Sequence, residues 1–312
     1  MSVSQIHCRV ITNCTSRKSH RGPALSLSPA DLHQSLDKVI ETWSALLKGA
    51  PREIQGGALY QGRSFSDAKA VAQEMSSHLY VISAGLGVIK SDEAVPPYNL
   101  TISEGLGSIA PALSRSQSTS RDWWALLTGP TGPAKSIRDA LDWTQSTSVY
   151  VALPSTYLEM VEGDLSTLST SQLDCVRIFT SPAGLNKLPE SLRKVCMPYD
   201  DRLEGHAVYA GTRADFAQRA MRHFVEELQA QNLCLDDARA AVLQSLKTLT
   251  KPILPERTRK TDEEIIALIA QNWDRFHGHQ SHLLRYLRDE ALVSCEQSRF
   301  RSLWRQTQLL SA

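Results

Sequence analysis

The chain has no CxxC pair, no histidine at zinc-finger spacing and no Gly-x-x-x-x-Gly-Lys-Ser/Thr loop. Its six cysteines, at 8, 14, 175, 196, 234 and 295, are too scattered for a zinc ribbon or a disulfide framework. The missing phosphate loop argues against ATP hydrolysis. No apolar run approaches the roughly 18 residues of a membrane span, and no continuous apolar segment follows the first charges. Neither membrane insertion nor secretion is indicated, and a reducing cytoplasm is the expected compartment. A net charge of +1 excludes a strongly basic protein, so any nucleic-acid contact must come from local patches. No cofactor and no metal are expected.

At 312 residues the chain is long enough for one large domain and a smaller one, with a core that needs no disulfide. Four short apolar or β-branched runs read as strands: residues 8–12, 79–83, 148–154 and 175–182. Between them lie helical periods. Pro29 to Leu47 is a covering helix capped by Ser28, a second helix runs from about Ser66, and a third from Ser155 to Glu162. The Ser- and Gly-rich stretch 104–125, with Trp123 and Trp124, reads as a mobile connection ending in a short helix. "TRADFAQRAMRHFVEELQAQ" and "LDDARAAVLQSLKTLT" are two further amphipathic helices. These elements predict an α/β domain with a covered, mostly parallel sheet over residues 1–231. A helical C-terminal region, 232–312, follows with a linker at about 251–261; its three short helices and glycine turn suggest a helix-turn-helix or winged-helix unit.

Loops at the carboxyl ends of parallel strands are where α/β proteins bind ligands. After the first strand, "NCTSRKSHRG" supplies Asn13, Cys14 and the cations Arg17, Lys18 and Arg21, suited to a DNA backbone or a sugar phosphate. "ALYQGRSF" places Tyr60 and Arg63 before a helix. The stretch "SAGLGVIKSDEAVPPYNL" supplies Ser83, Gly85, Asp92, Tyr98 and Asn99: a backbone free to approach a ligand, a carboxylate, an aromatic face and an amide. An extruded nucleobase needs such groups. Asp92 and Asn13 are the candidate catalytic residues; Cys14, Tyr60, Ser83, Gly85, Tyr98 and Asn99 are candidates for binding the base. Asp200, Asp201 and Glu204 rank below Asp92, because a salt bridge with Arg202 is their ordinary explanation. Arg17, Lys18 and Arg63, with Arg285, Arg288, Arg299 and Arg301 of the C-terminal helices, are the candidate DNA contacts.

"ITNCTSRK", "ALYQGRSF", "LYVISAGLGVIKSDEAVPPYNLT" and "SHLLRYLRDEALVSCEQSRFRSLW" together resemble a family of bacterial proteins. That family is similar to the peroxide-stress YaaA proteins and to the uracil-DNA-glycosylase-like core of archaeosine synthase. An anti-phage DNA glycosylase that removes glucosylated hydroxymethylcytosine looks similar in kind. The resemblance implies a uracil-DNA-glycosylase-like fold and hydrolysis of the N-glycosidic bond of a modified base, with phage DNA as partner. Asp92 would orient water or stabilise an oxocarbenium-like sugar, Tyr98 would stack and Asn99 would read the base. The chain departs from uracil-DNA glycosylases in lacking their Gly-Gln-Asp-Pro-Tyr string and in carrying Thr180 where their late motif has histidine, so uracil is not the expected substrate. Two other classes stay open: a DNA-binding regulator or lesion sensor without chemistry, and a transferase acting on free nucleosides or sugar phosphates.

Overall fold

Val10, Ile11 and Thr12 are consecutive and fully buried, which a strand achieves only when both its faces are covered. In the computed structural model, which describes residues 7–20, 22–141, 143, 147–253 and 255–310, they lie on β1 (His7–Asn13). This strand is the centre of a five-stranded sheet. Its other members are β2 (His78–Ser83), β3 (Gly87–Lys90), β4 (Thr147–Ala152) and β5 (Val176–Phe179), in the spatial order β3-β2-β1-β4-β5. β1 is parallel to β2 and β4, and β4 to β5; only β3 runs antiparallel, paired with β2. The chain is therefore an α/β protein with a mostly parallel sheet. All four expected strands are present.

Helices cover both faces. In chain order they include α1 (Leu36–Gly49), α2 (Arg63–Glu74), α3 (Ser120–Thr128), α4 (Ser155–Ser166), α5 (Phe216–Arg222) and α6 (Leu235–Leu246). The connection from β1 to β2 includes α2, which packs against β1 and α5. The connection from β4 to β5 includes α4, which packs against α3, and α3 in turn against α1. The crossovers leave β1 and β4 in opposite directions, so the strand order reverses between them. In open α/β sheets such a reversal is the usual place for a ligand at the carboxyl ends of the strands.

Several expectations change. Ser28 does not cap α1: its N–H and hydroxyl bond the Asp31 carboxylate at 2.8 and 2.7 Å, starting a single 3-10 turn, and α1 begins later. The expected mobile connection contains helices Ala110–Arg115 and α3, because Trp123 and Trp124 are core residues. The helix predicted across 212–231 is interrupted after α5 by a π-turn at His223–Glu227.

Two units divide at 251/252, inside the expected linker and not at 231/232. α6 belongs to the first unit, since Ala238, Val242 and Leu246 are fully buried in its core. The second unit, Pro252–Ala312, holds α7 (Asp262–Gln271), α8 (Gln280–Asp289) and α9 (Gln297–Leu310) around Ile265, Ile269, Leu283, Leu287, Phe300 and Leu303. The turn from α7 to α8 covers residues 272–279, longer than the three or four residues of a helix-turn-helix. Among the described residues this unit has no strand, only an isolated bridge between Thr258 and Val293, so no wing is present there. No helix among the described residues is long and apolar enough to cross a membrane.

Candidate functional site

Ser83 ends β2 with its side chain fully buried. Its hydroxyl oxygen accepts the backbone N–H groups of Gly85 and Leu86 at 3.1 and 3.0 Å, which leaves its proton for the Tyr98 hydroxyl at 2.6 Å. Tyr98 already accepts that proton, so its own passes to the Tyr60 hydroxyl, 2.9 Å away. The order of protons along Ser83, Tyr98 and Tyr60 is thus set by two backbone amides. Gly85 is required for packing and not for a ligand: a Cβ there would lie 2.9 Å from the Tyr98 ring and 3.0 Å from Trp43.

Cys14 follows β1 directly and is held by a backbone bond from its N–H to the Ile82 carbonyl at 2.8 Å. Its Sγ lies 2.9 Å from the hydroxyl of Tyr157, in the first turn of α4. The contact crosses the reversal between β1 and β4. Burial, and next the neighbouring Cys14, raise Tyr60, Tyr98 and Tyr157 well above the ordinary phenol range, so all three are neutral donors.

Residues 17–19 run antiparallel to 59–61: Ser19 donates to the Leu59 carbonyl at 2.9 Å and Gln61 to that of Arg17 at 2.9 Å. This pairing turns Lys18 inward. Its Nζ sits over the Tyr98 ring, 4.5 Å from the centroid. Burial lowers the Lys18 pKa, an effect partly opposed by Cys14. Lys18, Tyr98 and Asn99 line a half-open cavity of about 240 Å³ with Ser16, His20 and Pro97.

Of the expected base-binding residues, then, Tyr98 and Asn99 reach the cavity, while Cys14, Tyr60, Ser83 and Gly85 form the layer behind it. Tyr98 does not offer an open stacking face, because Lys18 covers it. Asn13 is not free for catalysis: its Nδ2 bonds the Cys14 carbonyl at 2.8 Å and its Oδ1 accepts from Gln218 Nε2 at 2.9 Å. Asp92 is far from the site. Residues 84–86 form a tight turn into β3, so Ser83 pairs with Gly87 and Tyr80 with Lys90. The chain has returned along β2 before reaching Asp92, at a rise of about 3.3 Å per residue. Its carboxylate is exposed and pairs with Lys90 at 3.2 Å.

Arg17 is exposed with no side-chain partner among the described residues, and Arg21 lies outside them. Arg63 opens α2 with its Nε 3.8 Å from the buried Asp67. In the second unit, Arg285 and Arg301 are exposed and unpaired among the described residues. Arg288 and Arg299 are committed internally, the first to the Cys295 carbonyl at 2.9 Å and the second to Asp262 at 2.7 Å. Asp200 pairs with Arg202 as its ordinary explanation predicted, and Glu204 with Arg219.

Two residues that bind the site together carry weak sequence signals. Gln218 is fully buried on α5, and its Nε2 lies 3.0, 2.9 and 2.9 Å from Thr12 Oγ1, Asn13 Oδ1 and the Ala152 carbonyl, three acceptors that share its two hydrogens and join the ends of β1 and β4. A glutamine in the apolar stripe of "FAQRAM" was the available clue. Tyr157 was marked only by following the strand-ending Pro154. Among the described residues no group of three or more His, Cys, Asp or Glu is placed to hold a metal ion. No protein-family model, curated protein or solved structure matches the chain.

Proposed function

We propose that this protein removes a modified base from DNA, hydrolysing its N-glycosidic bond after the nucleotide is flipped into the cavity at the ends of β1 and β2. The observation that carries this reading is the cavity itself. At about 240 Å³ it falls below the roughly 300–1,000 Å³ of sites for drug-sized ligands, and so suits a base better than a dinucleotide. Its wall combines the Lys18 amine and the Asn99 amide, polar groups able to meet the edge of an extruded base, with apolar surface from Leu59 and Pro97. Four parallel strands in the order β2-β1-β4-β5 support a uracil-DNA-glycosylase-like core. The resemblance in sequence favours glucosylated hydroxymethylcytosine in phage DNA as the target.

The test is incubation with duplexes carrying cytosine, uracil, hydroxymethylcytosine or its glucosylated form, followed by mass spectrometry of the released base. Release from the glucosylated substrate supports the reading, and no release from any of them overturns it. Asp92→Asn is expected to leave both release and stability nearly unchanged, the latter within about 0.5 kcal/mol, because the residue is an exposed surface partner. Abolished release would return Asp92 to the mechanism.

A non-catalytic DNA sensor is the second reading, favoured by the lack of any carboxylate among the residues lining the cavity. Both readings use the three-helix unit as a DNA contact. Arg285→Ala with Arg301→Ala is expected to weaken binding to all sequences and to reduce the salt slope of log affinity by about two. An unchanged slope would remove DNA from this face.

A further inference from the structure

Resting on the glycosylase reading, we propose that Lys18 is the nucleophile of the site, an amine that attacks the sugar C1′ of the flipped nucleotide and holds it as a covalent imine. The neighbouring Arg17 is exposed to solvent, where a phosphate could reach it. Lys18 instead folds over the Tyr98 ring inside the cavity. It forms no hydrogen bond or ion pair among the described residues, and no carboxylate lines the cavity to keep it charged. Lysine becomes nucleophilic when desolvated in this way. Its burial acts in the same direction, lowering its pKa.

The cavity also holds an acceptor for the proton that the amine must lose. His20 Nε2 lies 3.1 Å from the Pro23 carbonyl, and a carbonyl can only accept, so Nε2 carries the hydrogen. In the neutral ring Nδ1 is then the basic nitrogen. The reaction balances without an oxidant or reductant. The Lys18 lone pair forms a bond to C1′ as the C1′–N bond breaks, and that electron pair leaves with the base. The new secondary ammonium gives a proton to His20 Nδ1, which passes it to the departing base. Opening of the sugar ring sends the C1′–O4′ pair to O4′, which takes a proton from solvent, and leaves a protonated imine between C1′ and Nζ. Water hydrolyses the imine, restoring Lys18 and an abasic aldehyde.

Borohydride converts such an imine to a stable secondary amine, so the covalent complex can be trapped. The probe is a duplex with a preformed abasic site, which makes the test independent of the base removed. The wild-type protein should give a cross-linked band on a denaturing gel, with the adduct mapped to Lys18 by peptide mass spectrometry. Lys18→Arg, which removes the reactive amine and keeps a long side chain, should reduce the band to background while retaining the wild-type circular dichroism. No band, or an adduct on another amine, overturns the inference. Base release without trapping overturns it and leaves the glycosylase reading standing. Trapping at Lys18 without release of any base upholds the reactive amine and removes the glycosylase reading.

Discussion

Replacing Arg219 with alanine is expected to destabilise the first unit by about 3–5 kcal/mol, the cost of leaving buried charge uncompensated. The guanidinium is 1 % exposed. Its Nε bonds Asp215 at 2.7 Å, its Nη2 bonds Glu204 and the Thr212 carbonyl at 2.7 Å each, and its Nη1 bonds the Tyr209 carbonyl. Asp215 is itself buried and also receives the Thr212 N–H at 2.8 Å. One planar cation therefore organises the whole segment from Glu204 to Asp215. Gly211 is part of the arrangement, since a Cβ there would lie 2.5 Å from Arg219 Nε. Lysine should not rescue the loss, because a single ammonium cannot span acceptors on opposite sides of the fork. Urea unfolding at neutral pH measures the effect; a loss below about 1 kcal/mol would mean that the network contributes little.

Acid should weaken the fold through His223, by roughly 3 kcal/mol once the pH has fallen to about 4. The ring is fully buried, with Nδ1 2.7 Å from the Tyr199 hydroxyl and Nε2 3.3 Å from that of Ser245. Burial, and next the nearby His206, push its pKa down to about 4. The unfolded ring takes up a proton near pH 6.5, well before the folded one. Above that pH both forms are neutral and the residue adds no pH dependence; between about 6.5 and 4 the unfolded state is increasingly favoured. Carboxylates titrate in the same window, so the comparison is with His223→Gln, which cannot titrate. The variant should lose this part of the slope in urea unfolding at pH 7, 5.5 and 4.5, whatever its stability at pH 7. Parallel slopes would show that His223 accepts a proton without cost.

The parallel strands were legible because each is a short β-branched run buried on both faces, a pattern that needs no tertiary information. "GVIK" was the failure. It has the composition of a strand, but its flanking glycine and lysine made it look like part of one long loop after Ser83. Gly87, at φ +68°, allows the sharp return that makes it an antiparallel partner of β2. That single hairpin removes Asp92 from the site. Tyr98, Asn99 and Lys18 were legible as residue types at strand ends, but not the inward turn of Lys18, which depends on a bridge to residues some forty positions later. Gln218 and Tyr157 lie further still along the chain, and only the folded sheet brings them to β1. In the C-terminal unit, the arginine row was visible, but not which arginines are already used as caps and internal partners.

Trp43 and Trp123 are fully buried and donate their indole N–H groups to consecutive carbonyls, Gly85 and Ala84, each at 2.7 Å. Trp273 and Trp304, in the other unit, stack with ring centroids 5.9 Å apart and planes 24° from parallel. The two pairs give the chain two different optical signatures. Trp43 meets Tyr98 of the cavity wall edge-on, with ring centroids 6.4 Å apart, whereas the stacked pair is placed for exciton coupling in the near-ultraviolet dichroism. Melting of the three-helix unit can thus be followed in an unlabelled sample by the loss of that coupling.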